Sequence, residues 1–479
     1  MSMIVVMDIG KTNAKLCVVD GVSGTLVSTA TMQTPTIHGQ PYPHLDTDAL
    51  WRWYLDGLAR LQQSRSIDTI VVTAHGATAA LLDESGLVLP VMDYEFDGLD
   101  VYRDEYDSLC DPFEQTYSPK LPLGLNIGRQ LYWQRERCAE QYQKARYLLP
   151  YAQYWSWLLT GKAAAEVSSI GSHSDLWNPL EKRYSDFAER QGFAELFPPL
   201  MHAADVLGTV SDAVQTATGI GSSCKVLVGI HDSNASLLPW IHSRESPLTV
   251  MSTGTWVIIF SLGSALQGLE AERDCTSNVT IYSEPVACAR FMGGREYAAI
   301  AGDTQTTFSI ADLVSVIDEG ALALPVFAET GGPFPGREGQ IVSQSTLSAA
   351  QTQALASIYC ALVSDVSLTL CNSAGDIIVE GAFAKNNILL QCLSVFRSEQ
   401  KVFASADSTG TTMGAAMLAI DGKQSDFIAG AHADESFNGS GIPAPDLTQA
   451  AVTDPVLRKK LLDYRSLWHA KVRQHRQDL

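Results

Sequence analysis

Positive charge is scarce in this chain. Its 479 residues carry 33 Lys and Arg against 53 Asp and Glu, a formal net charge of -20. So acidic a surface favours solubility and repels nucleic acid and anionic lipid. An anionic ligand would therefore need a locally positive site or a nest of backbone N–H donors. The nine cysteines stand singly, with no CxxC pair. That argues against a zinc site or a disulfide framework and fits a reducing, cytoplasmic setting. No apolar run approaches the roughly 20 residues that span a bilayer. The opening Met1 to Asp8 has no basic start and its apolar run stops at Asp8, so it does not read as a signal peptide. GxxxxGK[ST] is absent, and no GxGxxG follows the first strand, which excludes a Walker A loop and a dehydrogenase-type dinucleotide site.

What is present is an ordinary globular composition, 46% hydrophobic and 18% charged, in a chain too long for one core. Ile4 to Gly10 reads as a strand, Lys11-Thr12-Asn13 as a turn, and Ala14–Val19 and Leu26–Thr31 as returning strands. Asp48–Gln62 reads as a helix and Ile67–Ala74 as a buried strand. The opening is repeated: Val6 to Thr12 aligns with Val250 to Trp256, each an apolar strand, a polar residue and a Gly turn with hydroxyls. A weaker echo pairs Ile70-Val71-Val72 with Ile377-Ile378-Val379. Two copies of one plan imply two similar lobes, cut at 1–241 and 242–479. Leu347–Leu370 reads as a long helix, and Asp426–Gln449 as a surface loop. From Asp454-Pro455 a helix presents Leu457, Leu461, Tyr464, Trp468 and Val472 on one packing face. Its basic residues, including Arg458, Lys459 and Lys471, then form a solvated face.

Three segments have the makings of a site. In Asp8 to Lys15, a tight turn can aim backbone N–H groups at a phosphate. Thr12 and Asn13 add donors, Lys11 or Lys15 adds charge, and Asp8 can hold Mg²⁺ through water. A plain hairpin turn explains the same residues. Ser252-Thr253-Gly254-Thr255 is a second turn of this kind. Asp232, at a strand end, can accept a proton from an attacking hydroxyl; equally, it can cap the helix that follows. Arg290 and Arg295 flank a Gly pair that reads either as presenting Arg to phosphate or sugar oxygens or as a β-turn with solvent-facing charges. His173 reads either as a residue near the sugar or, the favoured reading, as a local hydrogen-bonding residue. Tyr151, Tyr154, Trp155 and Trp157 read as core rather than a stacking platform.

Taken together, five ordered motifs resemble the FGGY carbohydrate kinases, relatives of actin, hexokinase and the heat-shock chaperone ATPases. They are Asp8 to Lys15, Gly229 to Ala235, Ser252 to Trp256, Glu380 to Asn386, and Ser408 to Ala416. The resemblance implies an α/β fold of two actin-like (ribonuclease H-like) lobes with a central cleft. The first lobe would carry the sugar site and the base; the second would bind ATP and end in a packing helix. It further implies phosphorylation of a sugar hydroxyl by Mg²⁺–ATP, with Asp232 as catalytic base and Asp8 as the metal carboxylate. Lys11, Thr12, Asn13 and Lys15 match one phosphate turn, and Thr253, Gly254 and Thr255 the other. Gly381, Ala382, Phe383 and Asn386 match the adenosine pocket, with Ala382-Phe383 where the family carries two glycines. His75, Gly76, Asp93 and Glu95, with Asp232, fall where sugar contacts are expected. The wording around His231 and Gly254 is nearest to rhamnulose and fuculose kinases, but Asp93-Tyr94-Glu95 departs from theirs, which leaves the sugar open. A silent sugar-binding relative and a regulatory actin-like ATPase are the rival readings. The expected partner is a small sugar, with no nucleic acid or membrane, and a homodimer as one option for assembly.

Overall fold

The computed structural model describes residues 3–244, 246–302, 306–405, 410–420 and 446–475. In chain order the framework is β1 (Met3–Ile9), β2 (Asn13–Asp20), β3 (Leu26–Gln33), α1 (Thr47–Gln62), β4 (Thr69–Ala74), α2 (Tyr151–Thr160), β5 (Val206–Thr209) and β6 (Lys225–Leu227). It continues with β7 (Leu248–Thr253), β8 (Val257–Leu262), β9 (Pro285–Phe291), α3 (Gly293–Ala301), α4 (Ala349–Leu370), β10 (Asp376–Gly381), α5 (Asn387–Phe396), β11 (Val402–Ser405), α6 (Gly410–Ile420), β12 (Leu447–Ala450) and α7 (Pro455–His475). Two compact units result. Described residues of the first fall within 1–244, 277–285 and 409–444; those of the second fall within 245–276, 286–408 and 445–479.

The first unit is built on a sheet ordered β5-β6-β4-β1-β2-β3. β1 is buried at every position, so both faces must be covered. Val5 and Met7 point into a core with Leu50, Tyr54 and Leu58 of α1 and Tyr151 and Trp155 of α2. Ile4 and Val6 point the other way, onto Met413, Ala415, Ala416 and Leu418 of α6. Period-2 alternation in the strand thus meets helices on both faces. Asp46 starts α1 by accepting from the Ala49 N–H at 2.9 Å, a regular N-cap. The aromatic cluster of α2 is core, as expected: Tyr151 and Trp155 are fully buried.

The second unit repeats the plan. Six strands of its sheet run β9-β8-β7-β10-β11-β12. β1 pairs β2 antiparallel and β4 in parallel; β7 pairs β8 antiparallel and β10 in parallel. The repeat noticed in the sequence is therefore a repeat of strand order and direction. α4 lies in this unit. It is long and apolar enough to cross a bilayer by length and composition, contrary to the expectation that no such run exists, but 89% of its apolar window is buried among protein atoms. In α7, Leu457, Leu461, Tyr464, Trp468 and Val472 are buried. Tyr464 OH donates to Ala321 O and Trp468 Nε1 to Ala323 O, both at 2.7 Å.

Two readings need correction. Leu447–Gln449 belongs to β12 rather than to a loop, because it pairs antiparallel with β11; residues 426–445 of that stretch lie outside the described residues. The Gly293-Gly294 pair opens α3 instead of making a β-turn. Arg290 is held by Asp274 at 2.7 Å and lies over the Trp256 ring, while Arg295 is exposed.

Candidate active site

In the first unit, β4 runs parallel between two neighbours. Thr73 faces Asp8 on one side and Ile230 on the other; Ala74 faces Ile9 and His231. The segments that leave these strands, with Gly10, His75 and Asp232, therefore emerge at one edge. In open α/β sheets that carboxyl edge is where ligands bind.

Asp8 is buried. Its Oδ2 accepts from Lys15 Nζ at 3.3 Å and from Thr412 Oγ1 at 3.2 Å. Among the described residues no hydrogen bond or ion pair reaches Oδ1. Tyr54 OH bridges Asp8 O and Lys15 O, at 3.2 Å each, and so ties the two strands together behind the carboxylate. The following turn is closed by Gly10 N–H to Asn13 O at 3.1 Å and pinned by Thr34, whose hydroxyl donates to Gly10 O at 2.7 Å. Thr12 and Asn13 are exposed at its tip. Lys11 turns elsewhere. Its Nζ lies 2.8 Å from Asp93 Oδ1 and 3.3 Å from Glu95 Oε2, above the Tyr94 ring. A residue expected at phosphate is thus engaged with two expected at sugar.

Asp232 is the first residue of a single helical turn, Asp232–Ala235, with His231 at the N-cap. Its Oδ1 accepts from the Ser233 N–H at 2.6 Å. Asp232 thus stands inside the turn and not at its N-cap, so the capping foreseen as an alternative to catalysis is not made; the bond to the adjacent Ser233 occupies one oxygen only. No described residue bonds Oδ2. The side chain is 29% exposed, so one edge reaches solvent. Burial raises the carboxyl above its ordinary value; His231 opposes this, Asp8 adds to it, and the Ser233 bonds oppose it again.

His231 packs directly over Gly76. A Cβ at position 76 would stand 2.5 Å from His231 Nε2. His75 is buried against Tyr94 and Tyr151, and burial is the main reason its imidazole falls to about 4, leaving it neutral near pH 7. Its Nδ1 is within 3.0 Å of Gly76 O, while Nε2 has no hydrogen-bond partner among the described residues. His173 bonds across the chain and not locally: its Nδ1 lies 2.9 Å from the carbonyl oxygen of Leu125, 48 residues away.

In the second unit, Thr253 and Gly381 are opposite each other on β7 and β10. Thr253 is buried and its hydroxyl is used internally, donating to Glu380 O and accepting from the Phe383 N–H at 2.9 Å. Gly381 has φ 80°, and a Cβ there would stand 2.0 Å from Thr253 O, so only glycine fits. Gly254 and Thr255 are exposed; Gly294, in the first turn of α3, donates to Thr255 O at 3.2 Å. Ala382 is exposed. Phe383 is buried, its ring 6.1 Å from that of Tyr297, so it fills space within the unit. Asn386 caps α5 through Oδ1 to the Leu389 N–H and donates to Ser357 at 2.9 Å. Ser408 and Thr409 of the fifth motif lie outside the described residues. A cavity of about 800 Å³ elsewhere in this unit is lined by Arg273, Arg337, Arg465 and Arg473 and includes none of these motif residues.

A solved carbohydrate kinase from Novosphingobium aromaticivorans matches with a TM-score of 0.88 and 34% identity over 99% of both chains. The chain belongs to the FGGY carbohydrate kinase family. Residues 245–426 match the family described as "Carbohydrate kinase FGGY, C-terminal domain". The L-fuculokinase of Escherichia coli (strain K12) is 23% identical over 266 residues, a stretch covering 53% of this chain and only 56% of that relative. A xylulose kinase from Lactobacillus acidophilus shares the fold, with a TM-score of 0.78 at 15% identity over 99% of this chain. As in these FGGY kinases, the fold is α/β with two sheet-containing lobes of actin-like ATPase type.

Sequence reasoning missed the roles of Thr412, which bonds Asp8, and of Asn234, Ser172 and Asn278, which form the hydrogen-bonded group around the His231 ring. Thr412 lay inside a quoted motif but had no role there. Only the fold shows that α6 returns to β1.

Proposed function

We propose that this FGGY kinase moves the γ-phosphoryl of ATP onto a hydroxyl of a small sugar, with Asp232 as general base. A ketose or deoxyketose such as L-rhamnulose or L-fuculose is the favoured acceptor class, and the named L-fuculokinase relative supports it. The observation that carries the reading is the pairing of two unlike carboxyls at one sheet edge. Asp8 is backed by a cation and a hydroxyl, while Asp232 keeps one oxygen unbonded and a raised proton affinity. Two carboxyls held in different surroundings take different roles.

The sugar is read as lying against His75, Gly76, Asp93, Glu95 and Asp232. Asp232 Oδ2 accepts the hydroxyl proton as that oxygen attacks phosphorus, and little more covalent work is asked of the protein. Nucleotide phosphates fall to the turns Lys11 to Lys15 and Thr253 to Thr255, and adenosine to Gly381, Ala382, Phe383 and Asn386. Lys11 reaches phosphate only by leaving Asp93 and Glu95, so in this arrangement it serves the sugar end first.

Mg²⁺ fits as the ion carried by ATP. Among the described residues no group of three or more His, Cys, Asp or Glu could hold an ion unaided. A single carboxylate with Oδ1 unbonded suits a hydrated Mg²⁺ shared with phosphate. Asp8 would hold it, and bound there it would neutralise charge on the β- and γ-phosphates. The single cysteines, none of them disulfide-bonded, support a cytoplasmic setting.

The test is an ATP-coupled assay over ketoses, aldoses and polyols with a no-sugar blank. Sugar-dependent ADP release on a deoxyketose is expected. ADP release that no sugar stimulates would overturn the reading.

A further inference from the structure

β3 (Leu26–Gln33) is the outermost strand of the first unit's sheet. It pairs with β2 on one side and, among the described residues, with nothing on the other. All its residues are exposed except Met32, which is half-buried. The outer strands β5 and β12 have four residues each; β3 has eight. A long outer strand presents a row of unpaired N–H and C=O groups, which proteins usually blunt by brevity, charge or proline. β3 has none of these. Residues 21–45 contain no Asp, Glu, Lys or Arg in a chain that is 18% charged, and the first proline is Pro35.

The register shows which groups are free. The Thr34 N–H donates to Thr12 O at 2.9 Å, and next to it Gln33 faces Asn13, Met32 faces Ala14, and so on to Ser28 and Val18. Antiparallel pairs alternate between hydrogen-bonded and non-hydrogen-bonded. Met32, Ala30 and Ser28 therefore turn their backbone groups to β2, while Gln33, Thr31 and Thr29 turn theirs outward. Among the described residues none of these three makes a backbone bond outside the sheet.

Each outward residue offers one donor and one acceptor, so the row complements itself when a copy is turned by half a rotation. Charge selects the same occupant. Two copies at a net charge of -20 repel each other, and an uncharged stretch is where that repulsion is least. A basic partner would be drawn to the charged surface instead. We propose that β3 is where this chain pairs with a second copy of itself, edge to edge and antiparallel, about a two-fold axis at Ala30. That axis sets Thr29 opposite Thr31 in hydrogen-bonded pairs, a favourable cross-strand match. Ala30 meets its own equivalent in a non-hydrogen-bonded pair, where the backbones come closest and a small side chain fits. The exposed Val22, Leu26 and Val27, toward the hairpin end of β3, add apolar surface beside the seam.

The test is sedimentation velocity of the full chain from about 1 to 100 µM, a range that suits a modest interface. A monomer–dimer equilibrium is expected, and it should tighten as added salt screens the net charge. Ala30→Lys and Ala30→Glu each set like charges across the axis and should weaken the dimer by about tenfold or more. Mixed one to one, the two variants should pair again, which separates lost pairing from lost folding. Hydrogen exchange of the amides in 26–33 should slow as the wild-type concentration rises. A monomer at every concentration overturns the proposal. So does a dimer that neither substitution weakens, or one whose protection falls on other segments. Turnover is not measured, so the outcome is independent of the kinase reading.

Discussion

Thr412 and Asp8 are 404 residues apart in the chain, and the Thr412 hydroxyl donates to Asp8 Oδ2 at 3.2 Å. With Lys15 on the same oxygen, this bond leaves Oδ1 without a partner among the described residues. α6 is held close at a second point: a Cβ at Gly414 would stand 1.8 Å from Ala235 O, at the end of the turn that begins with Asp232. One helix therefore bears on both acidic groups. Thr412→Val, nearly equal in volume, should raise the Mg²⁺ needed for half-maximal ADP binding about tenfold, as loss of a group orienting a metal carboxylate typically does. Thr412→Ser should restore most of the affinity. Calorimetric titration of ADP at graded Mg²⁺ measures it, and an unchanged Mg²⁺ requirement would refute the role.

Gly76 makes a second prediction. With 2.5 Å between an added Cβ and His231 Nε2, Gly76→Ala must move the ring. Steady-state kinetics should show kcat falling by about 10- to 100-fold, in the range of losses from small misplacements at a reacting centre, while Mg²⁺–ADP affinity holds. Normal kcat would mean the ring position is not used.

Glu166 ties stability to pH. It is fully buried, burial pushes it up to about 8, and its Oε1 has no partner among the described residues. Between the unfolded carboxyl value and about 8 the folded chain holds a proton that the unfolded chain releases. Stability should therefore be full at acid pH and decline as pH rises toward 8, by an amount on the order of a few kcal/mol. Glu166→Gln should flatten that slope and stabilise the protein at pH 8 relative to wild type. Urea unfolding at pH 5, 7 and 8.5 is the check; parallel pH slopes in the two proteins would disprove it.

Much of the fold was legible because it is carried by local pattern. The buried runs Ile4–Ile9 and Val250–Met251 announce central strands, and their matching turns announce the repeat. Leu457 to Val472 announce the packing face of α7. The site was legible only as motifs, since a motif names residues without their partners. Lys11 reads as a phosphate ligand because the turn around it suits phosphate; its bond to Asp93, 82 residues on, could not be read from that turn. Phe383 was placed by its motif alone; that its ring is buried beside Tyr297 could not be read from it. Such contacts follow from tertiary packing and leave no period or spacing to read.

The central claim is that Asp232 is the base, and Asp232→Asn tests it most directly. The amide keeps the shape and the Ser233 contact but cannot take a proton. Single-turnover transfer from ATP to the best sugar should fall by about 10²–10⁴-fold, the usual contribution of a general base, with ATP and sugar affinities little changed. Transfer within a few-fold of wild type would contradict the account.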